Sequence, residues 1–137
     1  MKGDATPTIQ EQTTIRPKDM LQVFDNKLIN NTTPQISDSV PCAAFKKFGL
    51  YVYVGSTSTP TTLRIEVEFL DRWSGKWHSY KQGLFAALYY EDTDVASGVY
   101  ECFAGDVLGR AMQVKLTGAG TSGSAYFNAS ISMDFWN

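Results

Sequence analysis

The sequence predicts an all-β chain: a single jelly-roll-like antiparallel β-sandwich of roughly eight strands behind an extended N-terminal arm. Three observations predict it. Apolar and polar side chains alternate with a period of two over most of the chain beyond residue 20. Turn signals rich in Gly, Ser and Thr interrupt that alternation at short intervals. No segment carries a convincing apolar stripe of helical period.

The stretch from Thr61 to Leu70 is the clearest strand. Leu63, Ile65, Val67 and Phe69 fall on one face, and Arg64, Glu66 and Glu68 on the other. Phe127, Ala129, Ile131, Met133 and Phe135 alternate with Asn128, Ser130, Ser132 and Asp134 in the same way. Met112, Val114 and Leu116 alternate with Gln113 and Lys115, and Phe48 to Val54 is rich in aromatic and β-branched residues that suit a pleated surface. Weaker strands are expected at Gln22 to Ile29, Gln35 to Val40, Lys76 to Tyr80 and Val99 to Phe103. Leu84 to Tyr90 reads either as a strand or, through Ala86, Ala87 and Leu88, as one helical turn. Asp71 to Gly75 predicts a tight hairpin, Gly55 to Pro60 a loop, and Gly118 to Gly123 a flexible hairpin joining the last two strong strands.

Residues 1–20 form the arm and residues 21–137 the sandwich. The arm holds Thr6, Thr8, Thr13, Thr14, Pro7 and Pro17, with Ile9 and Ile15 as its large apolar anchors before Met20, too little to form a core alone. A chain of 137 residues is one domain's worth and can bury a sizeable core. Twelve Lys and Arg against 14 Asp and Glu leave a net charge of −2, so there is no basic excess for nucleic acid. No apolar run reaches the length of a membrane span, and the first residues lack the apolar core of a signal peptide. Cys42 and Cys102 both have apolar neighbours and read as buried free thiols rather than a disulfide.

Candidate chemistry is sparse. His78, the sole histidine, is expected on an outer sheet face if Trp77 points inward, and no Gly-x-Ser-x-Gly elbow accompanies it. Glu91, Asp92 and Asp94 have oxygen ligands at a spacing that can hold calcium, but the helical calcium-loop pattern is absent and such residues also suit a solvated loop. Glu66 and Glu68 alternate with core residues and read as a charged outer face with Arg64 rather than as a glycosidase pair. Gly105 and Gly109 lack the Gly-Lys-Ser/Thr ending of a phosphate loop and read as turn residues. These residues give no catalytic set, no metal and no cofactor. What remains is aromatic: Trp73 in its hairpin, and Tyr126 and Trp136 on the face opposite Phe127 and Phe135, all suited to an interface or to stacking on sugar rings.

Two resemblances follow. The polar arm (Thr6-Pro7-Thr8, Ile15-Arg16-Pro17), the Ser/Thr/Gly-rich sandwich and the ending Asp134-Phe135-Trp136-Asn137 resemble the small all-β head decoration or cement proteins of tailed bacteriophages. That resemblance implies a non-enzymatic virion protein, a homo-oligomer such as a trimer clamped onto major capsid protein, assembled in the host cytoplasm; a tail or baseplate role would look the same. Its contact residues would be Ile9, Ile15, Trp73, Tyr126 and Trp136. The run Leu50-Tyr51-Val52-Tyr53-Val54, then Leu63 to Phe69, then Ser74-Gly75-Lys76-Trp77 is similar to the centre of galactose-binding-like jelly rolls in carbohydrate-binding modules, which implies a glycan partner instead. The capsid role is the leading expectation and the glycan binder the alternative.

Overall fold

The alternation read from the sequence becomes two packed sheets in the computed structural model, which describes residues 20–57 and 59–137. Ile9, Ile15 and the rest of the arm before Met20 lie outside the described residues. Among the described residues there are ten strands, all paired antiparallel. The first sheet holds β1 (Met20–Ile29), β4 (Lys47–Thr57), β8 (Val99–Asp106) and β10 (Tyr126–Trp136) in the order β1-β10-β4-β8. The second holds β2 (Gln35–Ile36), β5 (Thr62–Leu70), β6 (Trp77–Ser79) and β9 (Ala111–Ala119) in the order β2-β9-β5-β6. In that sheet β3 (Val40–Pro41) also pairs with β9, and β7 (Tyr89–Glu91) with β5.

Each strong strand contributes one face to the interior. Leu63, Ile65, Val67 and Phe69 of β5, Met112, Val114 and Leu116 of β9, Phe48, Leu50, Val52 and Val54 of β4, and Phe127, Ala129, Ile131 and Met133 of β10 are all buried. A one-residue slip of β5 would turn its four apolar side chains outward, at a cost on the order of 6 to 12 kcal/mol, which fixes the register. One end of the core is aromatic. Phe48 meets Phe69, Tyr80 and Phe85 at ring-centroid distances of 5.7, 5.6 and 5.6 Å. Gly105 makes this possible, because a Cβ there would stand 2.7 Å from the Phe48 ring.

The sequence reading needs four corrections. Gln35 to Val40 is split into β2 and β3, each only two residues long. Gly55, Ser56 and Thr57 belong to β4, because their partners Asn128, Phe127 and Tyr126 extend the ladder into the expected loop. Gly118 to Gly123 does not make a hairpin: β9 pairs with β5 while β10 pairs with β1 and β4, so the connection crosses between sheets. Cys42 is buried and free as expected, but Cys102 is exposed, because β8 is the end strand of its sheet. The ambiguous stretch after Lys81 resolves as a 3-10 turn, Gly83–Ala87, followed by β7.

Candidate functional site

The two outer faces differ in chemistry. On the second sheet, Glu68 accepts a hydrogen bond from Gln113 at 2.8 Å, and Lys115 lies 3.4 Å from Glu68 and 3.7 Å from Glu66. Lys81 and Arg64 complete this charged surface, each 3.9 Å from Glu66. Its polar groups satisfy one another, as the reading of Glu66 and Glu68 expected.

The outer face of the first sheet is built from tyrosine and serine. Antiparallel register places Tyr51 between Ser132 and Cys102, and Tyr53 between Ser130 and Tyr100. Directly paired residues share a face, so these side chains meet above the sheet. The Tyr53 and Tyr100 rings lie 4.7 Å apart, tilted at 45°. Tyr100 is 83% exposed, an unusual cost for an aromatic side chain on a strand.

Glycines set the direction of these rings. A Cβ on Gly55 would stand 2.8 Å from the Tyr53 hydroxyl, and one on Gly98 3.1 Å from the Tyr53 ring, so Tyr53 lies lengthwise over both. Tyr51 leans the other way, over Gly49, and its hydroxyl donates to Asp134 Oδ2 at 3.3 Å. The two tyrosines thus part along β4. Between them and Tyr100 opens a groove of about 360 Å³, with Ser130 and Ser132 on one side and Glu101 and Cys102 on the other. A bulge in β1 presets one serine: Asn26, at a φ of 48°, donates its N–H to Ser130 Oγ at 2.8 Å and accepts from Asn128 Nδ2 at 2.8 Å.

Three carboxylates on or beside this sheet each accept a side-chain hydrogen bond. Tyr90, buried in the second sheet, donates its hydroxyl to Glu101 Oε1 at 2.5 Å and ties the two sheets together. Burial, then the Glu101 contact, raises the Tyr90 phenol well above the usual range, which keeps it a donor. Asp134 lies beneath Tyr51 and Trp136, only 6% exposed, and its Oδ1 has no hydrogen-bond partner. Burial raises its carboxyl above the ordinary value, against the opposing hydrogen bond from Tyr51. Asp92, in the short helix Asp92–Val95, accepts from Ser56 Oγ. Glu91 and Asp94 do not join it in a cage; among the described residues no three His, Cys, Asp or Glu side chains converge as metal ligands.

The residues picked out from the sequence are not brought together. Tyr126 and Trp136 do occupy the outer face of the first sheet, but at opposite ends of β10, roughly 34 Å of strand apart. They flank the groove without lining it. Trp73, 94% exposed, stands on the β5–β6 turn of the other sheet. That turn is rigid: Asp71 Oδ1 accepts the N–H groups of Trp73 and Ser74 at 2.8 and 2.5 Å, and Asp71 Oδ2 contacts His78 Nε2 at 2.8 Å. The Ser74 hydroxyl first, then His78, hold the Asp71 carboxyl well below the usual range. His78 is therefore a turn clamp on an exposed edge, while Trp77 is half-buried. The residues missed were Tyr51, Tyr53, Tyr100, Ser130 and Ser132. The i, i+2 spacing of Tyr51 and Tyr53 was their visible signal; the position of Tyr100 required the β4–β8 register.

No family model and no curated protein matches this chain. Among solved structures it is similar to a family 16 carbohydrate-binding module, at 11% identity and a TM-score of 0.48, over 74% of this chain and 70% of that one. It is also similar to the CBM22-1 and GH10 modules of Clostridium thermocellum xylanase 10B, solved with xylohexaose. There the identity is 8% and the TM-score 0.49, over 87% of this chain but only 26% of the xylanase. A third is the CBM22-1 xylan-binding domain of Paenibacillus barcinonensis Xyn10C, at 12% identity and a TM-score of 0.46, over 84% and 92% of the two chains. The expectation of a capsid decoration or cement protein is corrected here. The similar structures are carbohydrate-binding modules, and none of those named is a virion protein. At such low identity these structures carry no ligand over to this chain.

Proposed function

We propose that the chain is a non-catalytic carbohydrate-binding module that lays a neutral glycan across the tyrosine groove of the first sheet. The observation that carries this reading is the pair of half-buried Tyr53 and exposed Tyr100 facing two serines on a register-fixed sheet. A sugar ring offers an apolar C–H face and a rim of hydroxyls. Tilted phenol rings take the first, and serine and tyrosine hydroxyls take the second. Neutrality follows from charge: among the described residues lining the groove, the charged one is Glu101, whose carboxylate is turned to Tyr90 of the other sheet, so the groove offers an acidic glycan no cation.

The test is affinity electrophoresis and calorimetry against neutral and acidic polysaccharides. A neutral glycan is retained, and Tyr100→Ala weakens it by about 2 kcal/mol, roughly 30-fold. The same variant keeps its unfolding free energy within about 1 kcal/mol, because Tyr100 is exposed and loses chiefly its contact with Tyr53. Silence across all neutral glycans, or unchanged binding by Tyr100→Ala, overturns the reading.

A further inference from the structure

A second and larger cleft lies beside the groove. It measures about 570 Å³ and runs along the outer edge of β8, between Cys102, Ala104 and Asp106 on one side and Gln82, Leu84 and Phe85 on the other. Cys102 borders both the cleft and the tyrosine groove, so the two meet there. We infer that one glycan chain occupies both: it crosses the tyrosine groove, passes over the edge of β8 at Cys102 and Ala104, and continues into the cleft under the 3-10 turn. This rests on the glycan-binding reading above and extends it to a ligand longer than the groove.

Backbone phase supports the path. Val107 N–H donates to the Lys46 carbonyl at 2.9 Å, which makes the facing pairs of odd-numbered β8 residues the hydrogen-bonded ones. The N–H and C=O groups of Cys102, Ala104 and Asp106 therefore point away from β4, toward the free edge of the sheet. Asp106 N–H is taken by the Tyr80 hydroxyl at 3.2 Å, consistent with that direction. Cys102 and Ala104 present their backbone groups to the cleft, where a chain of hydroxyls can donate to the carbonyls and accept from the amides.

Side chains agree with the same occupant. Cys102, Ala104 and Gly105 are small, so the wall between groove and cleft is low. Beyond it, Leu84 is 71% exposed beside buried Phe85, an apolar surface for another sugar ring, and the Tyr80 hydroxyl donates to Gln82 Oε1 at 3.1 Å on the polar side. Lys47 and Asp106 at the mouth pair with each other, so the cleft, like the groove, favours neither sign of charge. From β10 to β8 the groove spans two strand spacings, about 10 Å; the cleft adds length beyond the last strand.

The experiment is a ladder of cello- and xylo-oligosaccharides, from disaccharide to hexasaccharide, titrated into the full chain and into Gln82→Ala, Leu84→Asp and Tyr100→Ala. Affinity of the unaltered protein rises by at least about tenfold between trisaccharide and hexasaccharide. Gln82→Ala and Leu84→Asp, both at exposed positions, flatten that rise while leaving the disaccharide unchanged. Tyr100→Ala weakens every length. A plateau at the trisaccharide, or a full rise in both cleft variants, overturns this inference alone. Absence of binding at every length overturns the glycan reading with it.

Discussion

Gly49 and Asp134 form a packing pair beneath the tyrosine face, and the substitution Gly49→Ala measures how rigid that layer is. The added Cβ would stand 2.4 Å from Asp134 Oδ1 and 3.2 Å from Trp136 Cζ3, about 1 Å inside ordinary contact with the carboxylate. The carboxylate has little room to retreat, because Asp134 is 6% exposed and tethered by Tyr51. Overpacking of this kind costs about 1–3 kcal/mol, against an intrinsic gain of about 0.5–1 kcal/mol for replacing Gly by Ala in a strand. The net expectation is a loss of about 1–2 kcal/mol. For 137 residues the unfolding entropy is on the order of 0.3 kcal/mol per kelvin, so the melting temperature falls by about 3–7 °C. Asp134→Ala removes the oxygen that lacks a partner and gives up one long hydrogen bond, so alone it is near neutral. Combined with Gly49→Ala it makes room for the methyl, and the double variant is more stable than the two single effects predict by at least about 1 kcal/mol. Denaturant unfolding of all four proteins closes the cycle. Costs that add to within about 0.5 kcal/mol would refute the clash as the cause.

Three further expectations follow from the same face. Gly55→Ala pushes on the hydroxyl tip of Tyr53, 2.8 Å away, rather than on a buried group; stability should hold within about 1 kcal/mol while neutral-glycan affinity drops, and equal affinity would dismiss Tyr53 as a contact. The raised carboxyl of Asp134 binds its proton more tightly in the folded chain. Its contribution to stability is full below the ordinary carboxylate value and is lost as pH rises through the raised one, so Asp134→Asn gains on the parent from acid toward neutral pH in denaturant titrations; a pH-independent difference would contradict the sign. Iodoacetamide should modify Cys102 in the native protein but spare Cys42, whose thiol is buried and pushed up to about 11 by burial, and mass spectrometry after unfolding should then find both thiols reactive.

A period of two told almost everything about which side chains enter the core and almost nothing about which outer face carries the tyrosine groove. Leu63 to Phe69 and Phe127 to Met133 point inward as their alternation requires, because misplacing either set costs more than any local preference can return. Both outward phases looked equally polar in sequence: Arg64, Glu66 and Glu68 on β5, and Asn128, Ser130, Ser132 and Asp134 on β10. What separates them is pairing. β5 meets Gln113 and Lys115 and neutralises itself, whereas β10 meets Tyr51 and Tyr53, which in turn meet Tyr100 and Cys102 across a second ladder. Trp73 was correctly read as exposed because a turn residue needs no partner to be placed. Cys102 was misread because its neighbours Phe103 and Ala104 suggested a buried strand, while the rule that fixes β4 and β10 weakens at β8, whose outer edge no strand among the described residues covers. The groove and the cleft meet at that edge, so the part of the chain where alternation says least is the part where the proposed glycan would have most backbone to reach.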